Sequence, residues 1–67
     1  MKLTVNGEPS STTATTLAEL LVEFDWDLDE GGFAVAVNDA LVTRQQFEDY
    51  QLSEEDNIEI IRATQGG

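Results

Sequence analysis

Neither cysteine nor histidine occurs in this sequence. Without cysteine there is no disulfide, no thiolate nucleophile, no side-chain persulfide and no thiolate zinc site. Without histidine there is no serine–histidine or cysteine–histidine pair. Basic residues are almost as scarce: Lys2, Arg44 and Arg62 stand against 14 carboxylates, for a net charge of −11. Nucleic acid is not an expected partner, because its phosphates must be neutralised by clustered cations. An anionic membrane surface would repel the chain. No run is long and apolar enough to span a bilayer, and the segment from Met1 to Gly7 reaches a polar turn too soon for a secretory leader. The expected location is the cytoplasm.

The 67 residues suffice for a single small domain. With no disulfide and no expected metal, stability has to come from packing or from a partner. A chain of this length can hardly enclose a substrate pocket of the usual few hundred Å³, so an independent enzyme is not expected. The acidity has two readings. It can steer the chain to a partner with a basic face, or it can serve solubility alone.

What is present reads as an α+β domain. Lys2 to Val5 alternates polar and apolar residues, which predicts a strand with Leu3 and Val5 on one side. Asn6-Gly7 is a hairpin signal, because both residues tolerate positive φ. A weaker strand is expected over Glu8 to Thr13, and Pro9 assigns it to a sheet edge. Thr16 and Glu19 form a capping box. It opens a helix over roughly 17–25 whose apolar stripe is Leu17, Leu20, Leu21 and Phe24. Phe33 to Val37 is a strand with Phe33, Val35 and Val37 on one face and Ala34 and Ala36 on the other. After the Asn38-Asp39 turn, a strand is expected over Leu41 to Thr43 and a helical turn over Gln45 to Tyr50. Ile58 to Ile61 is the final strand, with Ile58 and Ile60 inward and Glu59 and Ile61 outward. The helix stripe is expected to cover a sheet face built from Leu3, Val5, Phe33, Val35, Val37, Ile58 and Ile60. Residues 1–62 form the domain, and 63–67 are expected to be a flexible tail.

Gly66-Gly67 is the sharpest chemical feature. A carboxylate is a poor acyl donor until it is activated as a mixed anhydride, which divides a hard step into easier ones. For that, the chain end must enter another protein's active site. Glycine brings no side chain to a narrow channel and accepts any φ. An incidental ending reads the same in isolation. Gln65 precedes the pair and can shorten the free thread.

Other groupings carry less. Asp25, Asp27 and Asp29 alternate before Gly31, but Glu30 occupies the position where a calcium loop needs glycine, and Ala36 the position of the bidentate glutamate. A solvated acidic loop is the better reading, with Trp26 and Leu28 closing the helix end against the core. No metal site and no catalytic residue is assigned. Gly31-Gly32 lacks the lysine and spacing of a phosphate loop. Ala34, Ala36 and Ile61 are expected together on the sheet face away from the helix, as a docking patch or as ordinary scattered apolar surface.

Together these residues resemble the ThiS-like sulfur carriers of thiamine biosynthesis, within the β-grasp, ubiquitin-like superfamily. The pieces are Val5-Asn6-Gly7-Glu8, Leu17 with Leu20-Leu21, Ala34-Val35-Ala36-Val37-Asn38, Leu41-Val42-Thr43-Arg44 with Phe47, Asp56-Asn57-Ile58-Glu59-Ile60, and Gly66-Gly67. The resemblance implies a mixed sheet of four to five strands on one main helix, with the first and last strands parallel at its centre. It further implies that a ThiF-like adenylyltransferase uses ATP and Mg²⁺ to adenylate the Gly67 carboxylate, while the chain itself binds no cofactor. Sulfur from a cysteine desulfurase or rhodanese-type protein then replaces AMP, and a ThiG-like thiazole synthase consumes the thiocarboxylate. Gly67 carries the cargo, and Gly66 and Gln65 give access. Arg44 matches a recurrent family arginine, with a surface ion pair as the plainer role. Thr43 stands where the family often has proline. A carrier for molybdopterin or another thio-metabolite, a ubiquitin-like modifier and a plain interaction module are the alternatives; the single lysine, Lys2, offers a modifier little from which to build chains on itself.

Overall fold

The computed structural model describes residues 1–29 and 32–62. Strand β1 (Lys2–Val5) turns at Asn6 and Gly7, with φ of 51° and 83°, into β2 (Glu8–Ser11). Two consecutive positive φ values match the right-handed twist of the flanking strands. Val5 consequently pairs with Glu8, and Lys2 with Ser11. The second strand is shorter than the sequence suggests. Thr12 still exchanges backbone hydrogen bonds with Met1, at 3.0 and 3.1 Å, while its buried hydroxyl accepts from the Ala14 N–H and donates to Glu23.

Helix α1 (Leu17–Glu23) begins with the expected reciprocal cap. The Glu19 N–H donates to Thr16 Oγ1 at 3.3 Å, while Glu19 Oε1 accepts from the N–H groups of Thr15 and Thr16. The other free donors of the first turn find carbonyls in the loop beyond the fourth strand: Leu17 N–H donates to Tyr50 and Ala18 N–H to Phe47. All the donors that a helix start leaves open are thereby satisfied. The helix ends two residues before the expected position. Asp25 takes a left-handed φ of 67°, its N–H donates to the Val22 carbonyl, and Trp26 N–H donates to Leu21 at 2.8 Å. These are the two hydrogen bonds of a Schellman cap.

Strand β3 (Phe33–Val37) turns at Asn38 and Asp39, again both at positive φ, into β4 (Ala40–Val42). This turn shifts the fourth strand one residue toward the N-terminus of the expected range. A short 3₁₀ helix, Arg44–Gln46, opens the expected turn over Gln45 to Tyr50, which the Tyr50 N–H closes on the Gln46 carbonyl at 2.8 Å; Phe47 is buried and Tyr50 half-buried. Strand β5 (Asn57–Arg62) closes the fold and extends the expected strand by a residue at each end.

The sheet order is β2-β1-β5-β3-β4. Strand β5 runs parallel to β1 and antiparallel to β3, so the first and last strands lie side by side in the middle of the sheet. Pro9 falls on an edge strand, where its missing N–H costs no ladder bond. Leu3, Val5, Val35, Val37, Ile58 and Ile60 face Leu17, Leu20 and Leu21 across one core; Phe33, Phe24, Trp26 and Leu28 pack at its margin.

Both turn asparagines also grip β5. Asn6 N–H donates to the Ile58 carbonyl, and Asn6 Oδ1 accepts from Ile60 N–H. From the other side, Asn38 exchanges two hydrogen bonds with the backbone of Asn57, and its Nδ2 donates to the buried Asp56 carboxylate at 3.0 Å. Asp56 also accepts from Ser53 N–H at 2.8 Å. The strand leading to the C-terminal segment is therefore held along both edges.

Candidate functional site

The site expected from the sequence has two parts, a C-terminal segment and a sheet face. Gln65, Gly66 and Gly67 lie outside the described residues, as does the rest of the expected tail, 63–67. The structure describes the strand that precedes them in sequence and the surface around it.

The outer sheet face follows from strand alternation. On β5, Ile58 and Ile60 are buried inward, leaving Glu59 and Ile61 outward. The β3–β5 register places Ala34 opposite Ile61 and Ala36 opposite Glu59. Ala34 and Ile61 are both exposed, Ile61 at 58%. Their juxtaposition is as expected from sequence.

Ala36 corrects that expectation. It points to the same outer face but is only 9% exposed, because it sits between longer neighbours on both sides, Glu59 on β5 and Leu41 on β4. Leu41, at 75% exposed, is the apolar side chain presented there. Sequence reasoning passed over Leu41. Alternation in the strand, with Val42 inward, is the signal that assigns it outward. The outer apolar surface is thus Leu41, Ala34 and Ile61, with Ala36 as its floor.

Arg44 does not join this surface. It lies in the 3₁₀ helix and borders a groove with Leu28, Asp29, Gln45, Phe47 and Glu48. Leu28 and Phe47 belong to the helix side of the sheet.

Electrostatics in the domain are dominated by carboxylates. Glu19 is held below the ordinary glutamate pKa of 4.5, first by the Thr15 N–H, then by the Thr15 hydroxyl and the Thr16 N–H. Its role is to cap the helix. The alternating aspartates form a local turn in which Asp29 N–H donates to Asp27 Oδ1 at 2.9 Å. Among the described residues no group of three or more metal-ligating side chains is placed to hold an ion, and no helix is long and apolar enough to cross a membrane.

The comparisons with known proteins agree with this architecture. The ThiS family model matches residues 3–67. The chain belongs to the ThiS family. Members of this family are small sulfur carriers. The fold agrees with solved relatives. A crystal structure of the thiamine biosynthesis protein ThiS from Geobacter metallireducens superposes with a TM-score of 0.83 at 27% identity, covering 100% of both chains. A solution NMR structure of a thiamine biosynthesis protein from the same organism gives 0.77 at 28% identity, covering 100% of this chain and 88% of that one. No curated protein matches the sequence. The β-grasp fold and the thiamine-type sulfur-carrier class inferred from the residues stand on these matches.

Proposed function

We propose that the terminal carboxylate of Gly67 is the working group, and that this chain is a co-substrate with no catalytic residue of its own. The observation that carries the reading is the ThiS family match running to residue 67, over a domain whose central strand includes Arg62, five positions before Gly67 in sequence.

In the first step a carboxylate oxygen of Gly67 attacks the α-phosphorus of ATP in a partner adenylyltransferase. Pyrophosphate leaves, with Mg²⁺ in the partner neutralising its charge. The product is an acyl adenylate. Sulfur delivered as a persulfide or sulfide attacks the acyl carbon, and AMP leaves. When a persulfide is the nucleophile, a second thiol must reduce the resulting acyl disulfide to release the thiocarboxylate. A cysteine desulfurase or rhodanese-type protein supplies this sulfur, since the chain has no cysteine on which to store it. A thiazole synthase accepts the sulfur and returns the carboxylate. Gly66 and Gln65 form the access thread, and the whole cycle runs in the cytoplasm.

Leu41, Ala34 and Ile61 are the docking face for the adenylyltransferase in this reading. They are apolar, exposed and on the strand that precedes the tail or close to it. The surrounding acidity favours a partner with a basic rim and speeds encounter.

Genetic complementation tests the pathway. A host lacking its own thiamine sulfur carrier, but holding compatible partners, should regain thiazole-independent growth with the full chain and not with one lacking Gly66 and Gly67. Rescue by the shortened chain contradicts the proposal. Rescue only of molybdopterin-dependent growth assigns the carrier to another acceptor.

A further inference from the structure

The last inward position of β5 is a cation. Arg62 follows Ile58 and Ile60 on the helix-facing side and stands opposite Phe33 in the β3–β5 register. Its guanidinium carbon lies 4.9 Å from the centroid of the Trp26 ring. Indole is the strongest aromatic partner for a cation at this distance, because its face carries the negative end of the ring quadrupole.

Trp26 is fixed independently of Arg62. Its backbone N–H completes the Schellman cap on Leu21 at 2.8 Å. Its ring lies 4.9 Å from that of Phe33, tilted by 49°, and Phe33 lies 6.2 Å from the buried Phe47. A row of rings thus runs from the core to the end of β5 and finishes under Arg62. This is the only tryptophan in the sequence, and Arg62 is one of three cations. The two meet at Arg62, the residue five positions before Gly67 in sequence.

We propose that Arg62 and Trp26 form a clasp that fixes the end of β5, making Arg62 a positioning residue for delivery of the terminal carboxylate; the delivery role rests on the carrier reading above. Strand ends fray unless they are tied down. A frayed end spreads the carboxylate over more positions, and the apparent affinity of the partner falls by the fraction of chains correctly presented. The clasp acts through position alone, so it belongs in KM and not in kcat.

The test uses the full chain and a thiamine-pathway adenylyltransferase. Arg62→Gln removes the charge and leaves a shorter polar side chain. Its KM as adenylation substrate should rise about two- to fivefold, the equilibrium equivalent of one exposed cation–π contact, with kcat unchanged. Arg62→Lys should recover part of the loss. Trp26→Phe, which keeps a ring in the row, should fall between wild type and Trp26→Leu, and adding Arg62→Gln to Trp26→Leu should cost nothing further. An independent readout is NMR: the Arg62 Hδ and Hε resonances should lie upfield in the wild type through the indole ring current, and revert in Trp26→Leu. Arg62 resonances at unstructured values in the wild type overturn the clasp itself. Normal wild-type adenylation with an unaltered KM in Arg62→Gln overturns the positioning role and leaves the carrier reading standing. Failure of the wild type to be adenylated removes both.

Discussion

The side-chain carbonyl of Asn6 accepts a hydrogen bond from the Ile60 backbone N–H at 2.8 Å, across 54 positions of sequence. The same residue supplies the first positive φ of the β1–β2 turn, at 51°. One asparagine therefore reverses the chain and fastens the central strand that leads to the C-terminus.

These two duties separate on mutation. Asn6→Gly keeps access to positive φ and removes the acceptor, leaving a partly buried N–H without its partner. The expected loss of stability is about 1–3 kcal/mol, read as a lower urea midpoint with an unchanged slope. Asn6→Asp keeps an acceptor oxygen and should lose less. Equal losses in both variants would show that the bond to Ile60 contributes nothing.

The helix cap makes a pH-dependent contribution. The Glu19 carboxylate has a folded pKa below its ordinary value of 4.5. Its contribution is therefore fully present above about pH 4.5 and is lost as pH falls through the lower folded value. Glu19→Gln should flatten that acidic limb of the stability curve. Thr16→Ala removes the opposite half of the box and should cost about 1 kcal/mol at neutral pH. Identical acid limbs in wild type and Glu19→Gln would contradict the assignment.

The outer sheet face predicts a division between folding and recognition. Ile61→Asp alters a side chain that is 58% exposed, so stability should move by no more than about 0.5 kcal/mol. Binding to the adenylyltransferase should weaken by more than about fivefold, the scale of an interface anchor. Leu41→Asp should behave alike. Val22→Asp places the same charge on an equally exposed apolar residue of the helix and should bind normally. A loss common to all three would point to charge alone.

Much of this fold is legible in the residues because its signals are local. Asn6-Gly7 and Asn38-Asp39 announce their turns through tolerance of positive φ, Thr16 and Glu19 announce the helix start, and alternation orients Ala34 and Ile61. The misreadings arise where periodicity runs past a local backbone turn or where a distant group decides. Phe24 continues the apolar stripe, so sequence periodicity carries the helix on to residue 25. The left-handed turn at Asp25, which glycine or asparagine more commonly takes, ends it earlier and turns Trp26 onto the core. The covering of Ala36 depends on Leu41 and Glu59 from two other strands. The meeting of Arg62 with Trp26 depends on a loop and a strand end far apart in sequence. In the candidate site, Gly66-Gly67 and Ile61 are visible as residue types, whereas Leu41 needs the β3–β4 register to be seen.

The proposed carrier role requires that Gly67 hold sulfur as a thiocarboxylate. The most direct measurement is the intact mass of the full chain after incubation with ATP, Mg²⁺, sulfide and a thiamine-pathway adenylyltransferase active on its own carrier. The expected result is a gain equal to replacing one oxygen by sulfur, located at the C-terminal residue by fragmentation and absent when Gly67 is deleted. An unchanged mass, with no acyl adenylate when sulfide is withheld, would contradict it.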